Sequence, residues 1–344
     1  MSWITNIFQK KNSVSSPAPI MEEVFISFDS VSIKSLGFEV SEDKKQKIWE
    51  EEIFFGPYEN LLPGESVKNI AANLPKAIND LKNRLEGRNF ISVSLPAEQT
   101  FIENISIPKG DFAQNLLRSE MKKRIPIPFN EIMFASNKIS NINTVENFLC
   151  IAIQKTIFDE YVKIFKNIGV DPYFELEVFS LARAFEADEK FRFLIYINET
   201  HTKILLCKGA TAASVEIVKI GSNDLEEKII LESGVSKIDA KKIFRNIKSL
   251  QVLNSESAQF LNKLQNTFFQ NLSREILSNI HKIEDYFNLE NTSLLLSSNF
   301  IDDVLLDKIK IEEGENRHVY GFEMETKDDE LPNRYTQCFC LAKK

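Results

Sequence analysis

Two short stretches of this chain set hydroxyls and an amine at a spacing that can hold a phosphate. In FISFDSVSIKSL, Ser30 and Ser32 follow a polar tip and precede Lys34; in FRFLIYINETHTKILL, Thr200 and Thr202 do the same ahead of Lys203. Hydroxyls donate to anionic oxygens and an ammonium adds charge. Each stretch is also an apolar run, a short polar tip and a second apolar run, the pattern of a β-hairpin. The tips begin at Asp29 and Asn198, 169 positions apart, so the chain reads as two related halves. Both readings, phosphate loop and plain hairpin tip, are open at this level.

Glycine bears on the choice. A phosphate cradle brings backbone close to the anion, often at positive φ, and glycine permits both without a Cβ clash. The chain has eleven glycines, and the nearest two, Gly314 and Gly321, are seven positions apart. No GxGxxG or GxxxxGK[ST] can be formed. Asp29 also sets a negative charge where a phosphate would sit.

Other chemistries find less support. His201, His281 and His318 fit no HExxH pattern, so no metal site is expected. Cys150, Cys207, Cys338 and Cys340 lie among apolar residues without CxxC spacing. They read as buried thiols in a reducing compartment. Glu226 with Glu227, and Asp302 with Asp303, are sequence neighbours that point to different sides of a helix and read as solvated faces. No catalytic residue is expected.

Composition sets the class. With 344 residues, 43% hydrophobic and 27% charged, the chain can bury a sizeable core in two domains or one bilobed body. A net charge of -8 speaks against a nucleic-acid partner. No apolar run reaches the ~20 residues that span a bilayer, and the N-terminus lacks a secretion pattern, so a cytoplasmic location is expected. Trp3, Ile4, Ile7 and Phe8 recur at helical spacing before Lys10, Lys11 and the linker NSVSSPAP. Residues 3–11 can lie in a membrane interface, or they are a frayed terminus.

The elements that position these groups follow from periodicity. Residues 24–38 read as a strand, turn and strand. Residues 66–86 read as a helix kinked at Pro75 and stopped at Gly87. Two strands follow over 89–107, then a helix opened by a capping box at Asp111 and Gln114 and halted by Pro126 and Pro128. Strands over 131–140 and 146–154 lead to a helix from Thr156 to Gly169. The second half opens on the hairpin around Asn198, with a strand over 215–220 and helices near 223–233 and 236–248. The longest helix carries Leu261, Leu264, Phe268, Leu272, Ile276, Ile280, Ile283 and Phe287 on one face. The run SLLLSSNF reads as a buried strand. Mixed sheets flanked by helices give an α/β architecture of two lobes.

Between Phe90 and Phe185 the chain runs ISVSLPAEQTFIENISIP, a helix with Glu120 leading into EMKKRIPIPFNEI, then FLCIAIQKTIFDEYVKIFKNIGVDPYFELEVFSLARAF. This succession closely resembles the type IV pilus assembly protein PilM family: strand, Glu-bearing helix, proline stop with an acidic residue, strand, helix closing on glycine, ALARA-like segment. The order matches across the chain, to the ending RYTQCFCLAKK. The resemblance implies an actin-like (ribonuclease H-like) two-lobed fold, related to the division protein FtsA, with a small α/β subdomain inserted near 90–185. It divides the chain into an N-terminal segment and linker (1–20), the start of the first lobe (21–88), the insertion with the return to that lobe (89–187), and the second lobe with a C-terminal return (188–344).

Family members are cytoplasmic and bind the N-terminal tail of the membrane protein PilN, linking the inner-membrane platform to motor components. They also hold ATP between the lobes. This chain departs from them where ATP would bind. An Asp-Ile-Gly-Ser-Ser-Ser loop in the family corresponds to Ser27, Phe28, Asp29, Ser30, Val31 and Ser32, and an Asp-Ile-Gly to Tyr196, Ile197 and Asn198. A Gly-Gly-Gly run corresponds to SSNF at 297–300. Without carboxylates at 27 and 196, Mg²⁺ loses the ligands it favours.

The expectation is therefore a non-catalytic adaptor with no cofactor, at the cytoplasmic face of the inner membrane. Its nucleotide-loop residues Ser30, Ser32, Lys34, Thr200 and Thr202 would be vestigial. The expected partner is a PilN-like tail held as an extended strand beside the insertion, near Arg124, Ile125, Ile127, Phe129 and Ile132, unless these only pack the subdomain. Further pilus components are expected partners too, and self-association is open. The alternative is an ATP- and Mg²⁺-binding actin-like protein that polymerises or hydrolyses nucleotide. A type II secretion protein of similar fold is disfavoured because no membrane span follows the domain.

Overall fold

The computed structural model describes residues 21–28, 32–41, 45–55, 66–110, 112–142, 144–185, 188–236, 239–240, 255–290, 292–298, 319–321 and 340. Residues 3–11, Ser30, the capping residue Asp111, most of the expected 236–248 helix, Asp302, Asp303 and the ending from Arg334 to Cys338 lie outside the described residues.

The first sheet holds β1 (Met21–Phe28), β2 (Ser32–Val40), β3 (Lys45–Phe54), β4 (Phe90–Leu95) and β8 (Tyr173–Leu176), ordered β3-β2-β1-β4-β8. β1 to β3 form an antiparallel meander, while β4 and β8 run parallel to β1. The second sheet repeats this plan. β9 (Phe191–Ile197), β10 (Thr202–Lys208), β11 (Thr211–Val218), β12 (Ser293–Ser298) and β13 (Val319–Gly321) are ordered β11-β10-β9-β12-β13, with β12 and β13 parallel to β9. The two halves expected from the hairpins are thus one topology used twice.

Register refines that match. Phe28 faces Ile33 and Ile197 faces Thr202, so each hairpin encloses four residues. Lys34 opposite Ser27 is then equivalent to Lys203 opposite Tyr196. The hydroxyls are one position out of step: Thr202 corresponds to Ile33, and Ser32 to His201.

Helices cover these sheets with the faces their apolar spacing predicts. α1 (Ser66–Asp80) and α4 (Lys155–Lys166) place Leu74, Ile78, Tyr161 and Phe165 against Val24, Ile26 and Val93. Pro75 lies inside α1, and the break falls later, at Leu81, before the short α2 (Lys82–Leu85) and the left-handed Gly87. The longest helix runs from Ser255 to Phe287, 33 residues and about 50 Å. It buries Leu264, Phe268, Leu272, Ile276, Ile280, Ile283 and Phe287 in the core of the second lobe, with Leu261 half-buried at its edge.

The inserted piece spans 100–154 and is bracketed by β4 and β8 of the first lobe. β5 (Thr100–Pro108), β6 (Ile132–Ile142) and β7 (Val145–Gln154) form an antiparallel sheet ordered β5-β7-β6. α3 (Ala113–Arg124) covers one face with Leu117 and Met121 on Ile105, Ile107, Phe148 and Cys150. Leu149, Ile151 and Ile139 on the other face join the core of the second lobe. Asn104 adds hydrogen bonds to Ala213 O (2.7 Å) and from Ser214 Oγ (2.6 Å).

Candidate functional site

The second hairpin ends where the lobes meet, and the polar groups of the two hairpins are used in different ways. In the first, Ser32 opens β2 and its hydroxyl donates to Glu52 Oε1 at 3.0 Å. Lys34 is buried, with its Nζ 3.7 Å from the same carboxylate oxygen. Glu52 stands directly across from Lys34 on β3, so alternation alone brings acid and amine to one face.

The second tip is closed by Asn198. Its side-chain oxygen accepts from the N–H groups of His201 (2.8 Å) and Thr200 (3.3 Å), and its own N–H donates to His201 O (2.9 Å). Thr200 Oγ1 lies 2.8 Å from His201 Nδ1, and Thr202 donates to Ile220 O at 2.8 Å. The tip then docks on α6 (Ser222–Ser233): Ser222 N–H donates to Asn198 O and Asn223 N–H to Glu199 O. Those donors at the start of a helix are the ones an anion would use, and here tip carbonyls take them. Gly221 makes this fit, since a Cβ there would stand 2.3 Å from Glu199 O.

Three charged residues meet beside this tip that sequence reading did not join. Lys203, 1% exposed, reaches Glu98 Oε1 at 2.9 Å and, closer still, Glu177 Oε1. Glu98 sits on the turn after β4, and Glu177 begins α5 (Glu177–Ala182) directly after β8, so both acids come from the first lobe's strand ends. Glu177 Oε1 also accepts from Ala97 N–H at 2.8 Å. His201 Nδ1 is 3.7 Å from Glu98, and the Lys203 ammonium lies 5.9 Å from the Tyr196 ring centroid. The only signals in the sequence were an acid inside the apolar run ELEVFSLA and the lysine shared by the two hairpins.

One ammonium for two buried carboxylates divides their proton affinities. Burial opposes ionisation of Glu98, but the charge and hydrogen bond of Lys203, with His201, outweigh it and hold this carboxyl below the usual range. Burial pushes Glu177 up to about 7, Lys203 holding it back and Glu98 adding to the rise. For Lys203 burial opposes charge, yet Glu177 and Glu98 keep it protonated well above the ordinary lysine range. Burial lowers His201 despite Glu98, which favours the neutral ring.

The proline corner after α3 divides into core and surface. Ile125 and Ile132, expected at a partner groove, are core residues of the insertion. A corner that turns the chain back onto its own sheet points its apolar side chains inward. Ile127 and Phe129 are half-buried, and Pro126, Pro128 and Arg124 are exposed. Phe129 packs on Phe134 with centroids 5.7 Å apart, Lys122 lies 5.4 Å over the Phe129 ring, and Arg124 pairs with Glu103 at 3.2 Å. Among the described residues β6 pairs only with β7, which leaves its outer backbone edge without a strand partner.

Two lobes of repeated topology with a three-stranded insertion give an actin-like fold. No protein-family model and no curated protein sequence matches the chain. Among solved structures it is similar to a PilM-PilN type IV pilus biogenesis complex, at 12% identity and TM-score 0.70 over 94% of this chain and 98% of that one. It is also similar to the ethanolamine utilization protein EutJ from Carboxydothermus hydrogenoformans, at 8% identity and TM-score 0.57 over 95% and 91%. A third is the cytoplasmic domain of EpsL, an inner-membrane component of the type II secretion system of Vibrio cholerae, at 9% identity and TM-score 0.50 over 94% and 95%. What these proteins share with the chain is the fold. No helix among the described residues is long and apolar enough to cross a membrane.

Proposed function

We propose that this protein is a non-catalytic adaptor of a type IV pilus or related secretion platform, working at the cytoplasmic face of the inner membrane and binding the N-terminal tail of a PilN-like protein. The observation that carries this reading is the end-to-end likeness to a PilM-PilN complex, TM-score 0.70 over 94% of the chain. The tail pairs as an added strand along the open edge of β6, where backbone groups supply affinity and side-chain pockets supply specificity. Ile127, Phe129 and Phe134 offer apolar contact at the start of that edge, and the exposed Arg124 exchanges its Glu103 partner for an acidic group of the tail.

The adaptor works without nucleotide chemistry. This is supported by the groups at the hairpins: Lys34 faces Glu52, Thr202 is bonded to Ile220 O, and the first donors of α6 serve the tip. Those residues do not fit an ATP and Mg²⁺ site, which needs close backbone donors and acidic ligands. Calorimetry with ATP and Mg²⁺ tests this half of the proposal, with no heat of binding expected; micromolar binding would restore the nucleotide-dependent alternative. The adaptor half is tested by retention on an immobilised PilN-type tail peptide encoded beside this gene. Retention that falls at least tenfold in Phe129→Ala is expected, and no retention of the native protein would sink the reading.

A further inference from the structure

The lysine shared by the two hairpins meets very different neighbours. Across the strand from Lys34 stands Glu52, so its charge is met inside its own sheet. Across from Lys203 stands Ile217, and on the other side Tyr196, so the second sheet gives its ammonium no carboxylate at the paired positions. Its acids, Glu98 and Glu177, come instead from the ends of β4 and β8 in the other lobe.

We infer that Lys203 is a tethered counter-ion that fixes how the two lobes meet, so that the interlobe contact closes in one arrangement with no bound ligand. Both ends of the contact are held. Lys203 is anchored in β10 between Ile204 and Thr202, which are fully buried, and Thr202 is itself bonded to Ile220 O. Glu177 is fixed by Ala97 N–H, and Leu176 just before it pairs with Leu95 of β4, so the acid is tied to the first sheet where α5 crosses to pack Val178 and Leu181 on the second lobe. Any sliding of one lobe over the other would draw the ammonium away from two acids at once. A buried pair adds little net stability over apolar packing, but separating it leaves uncompensated buried charge, so arrangements that part Lys203 from its acids are disfavoured. The clasp is therefore a device of register, and its loss should appear as a spread of interlobe geometries.

The test uses the full chain without nucleotide, spin-labelled through Asn79→Cys on α1 and Ser278→Cys on the long helix, both exposed positions. Lys203→Met combined with Glu98→Gln and Glu177→Gln removes the charges while keeping size, so no unpaired buried charge is left to unfold the protein. The native chain should give one narrow interlobe distance, and the triple variant a distribution at least twofold wider at unchanged helix content. Glu177→Gln alone, which keeps Lys203 on Glu98, should stay narrow. A triple variant that superimposes on the native distribution, or a native distribution that is already broad, overturns the inference.

Discussion

Lys34 and Lys203 hold the same register position in two copies of one topology, yet one is met by its own sheet and the other by the opposite lobe. The copies agree in backbone and diverge in what completes each charge. In the first hairpin the polar residues form a local unit with Glu52. In the second they build an interlobe contact, and the tip is consumed in holding α6. Matching spacing in the two halves therefore marks the same backbone register and says little about shared chemistry.

The sharpest way to separate the copies is to remove each lysine. Lys203→Met leaves Glu98 and Glu177 buried together without a cation, and the loss in urea unfolding should be about 3–5 kcal/mol. Lys34→Met leaves one carboxylate that keeps the Ser32 hydrogen bond, and should cost less, about 1–3 kcal/mol. Equal losses would contradict the difference between the two lysines.

A second contrast is the glycine that only the second hairpin leans on. Gly221→Ala pushes a methyl group toward backbone atoms of Glu199 and Thr200, which cannot turn aside as a side-chain end can. A destabilisation of about 1–3 kcal/mol is expected, in the range of overpacked sites. Amide exchange should speed up at Ser222 and Asn223 and stay unchanged in β1 and β2.

The smallest effect is a change in pH dependence. Folded Glu177 releases its proton near pH 7, against 4.5 for the free carboxyl. Between those values the native state holds a proton that the unfolded chain lacks, so this group's stabilisation is full below about 4.5 and is lost as pH rises to about 7. Glu177→Gln should flatten the stability curve across that window and gain on the native protein toward pH 8. An unchanged slope would show that Glu177 does not carry the extra proton.

Sequence patterning made much of the fold legible. Apolar runs on either side of a polar tip exposed both hairpins, whose strands are buried on both faces, and the three-four spacing of Leu264 to Phe287 marked the long helix, which buries one clean face. β3 was hidden: KQKIWEEEIF is an edge strand whose charged residues blur any period. At the proline corner, Ile125 and Ile132 look alike in sequence whether they line a groove or fill the core in which they lie. Glu98 and Glu177 were out of reach for another reason. They lie far apart in sequence and converge only when β4 and β8 end at the same lobe boundary.

On the proposed reading, a chain of actin-like fold holds a membrane-protein tail without nucleotide. Titrating a fluorescent PilN-type tail peptide into the purified chain, with and without ATP and Mg²⁺, measures it directly. Saturable binding with the same Kd in both conditions is expected. Binding that appears only with nucleotide, or no binding in either, would contradict it.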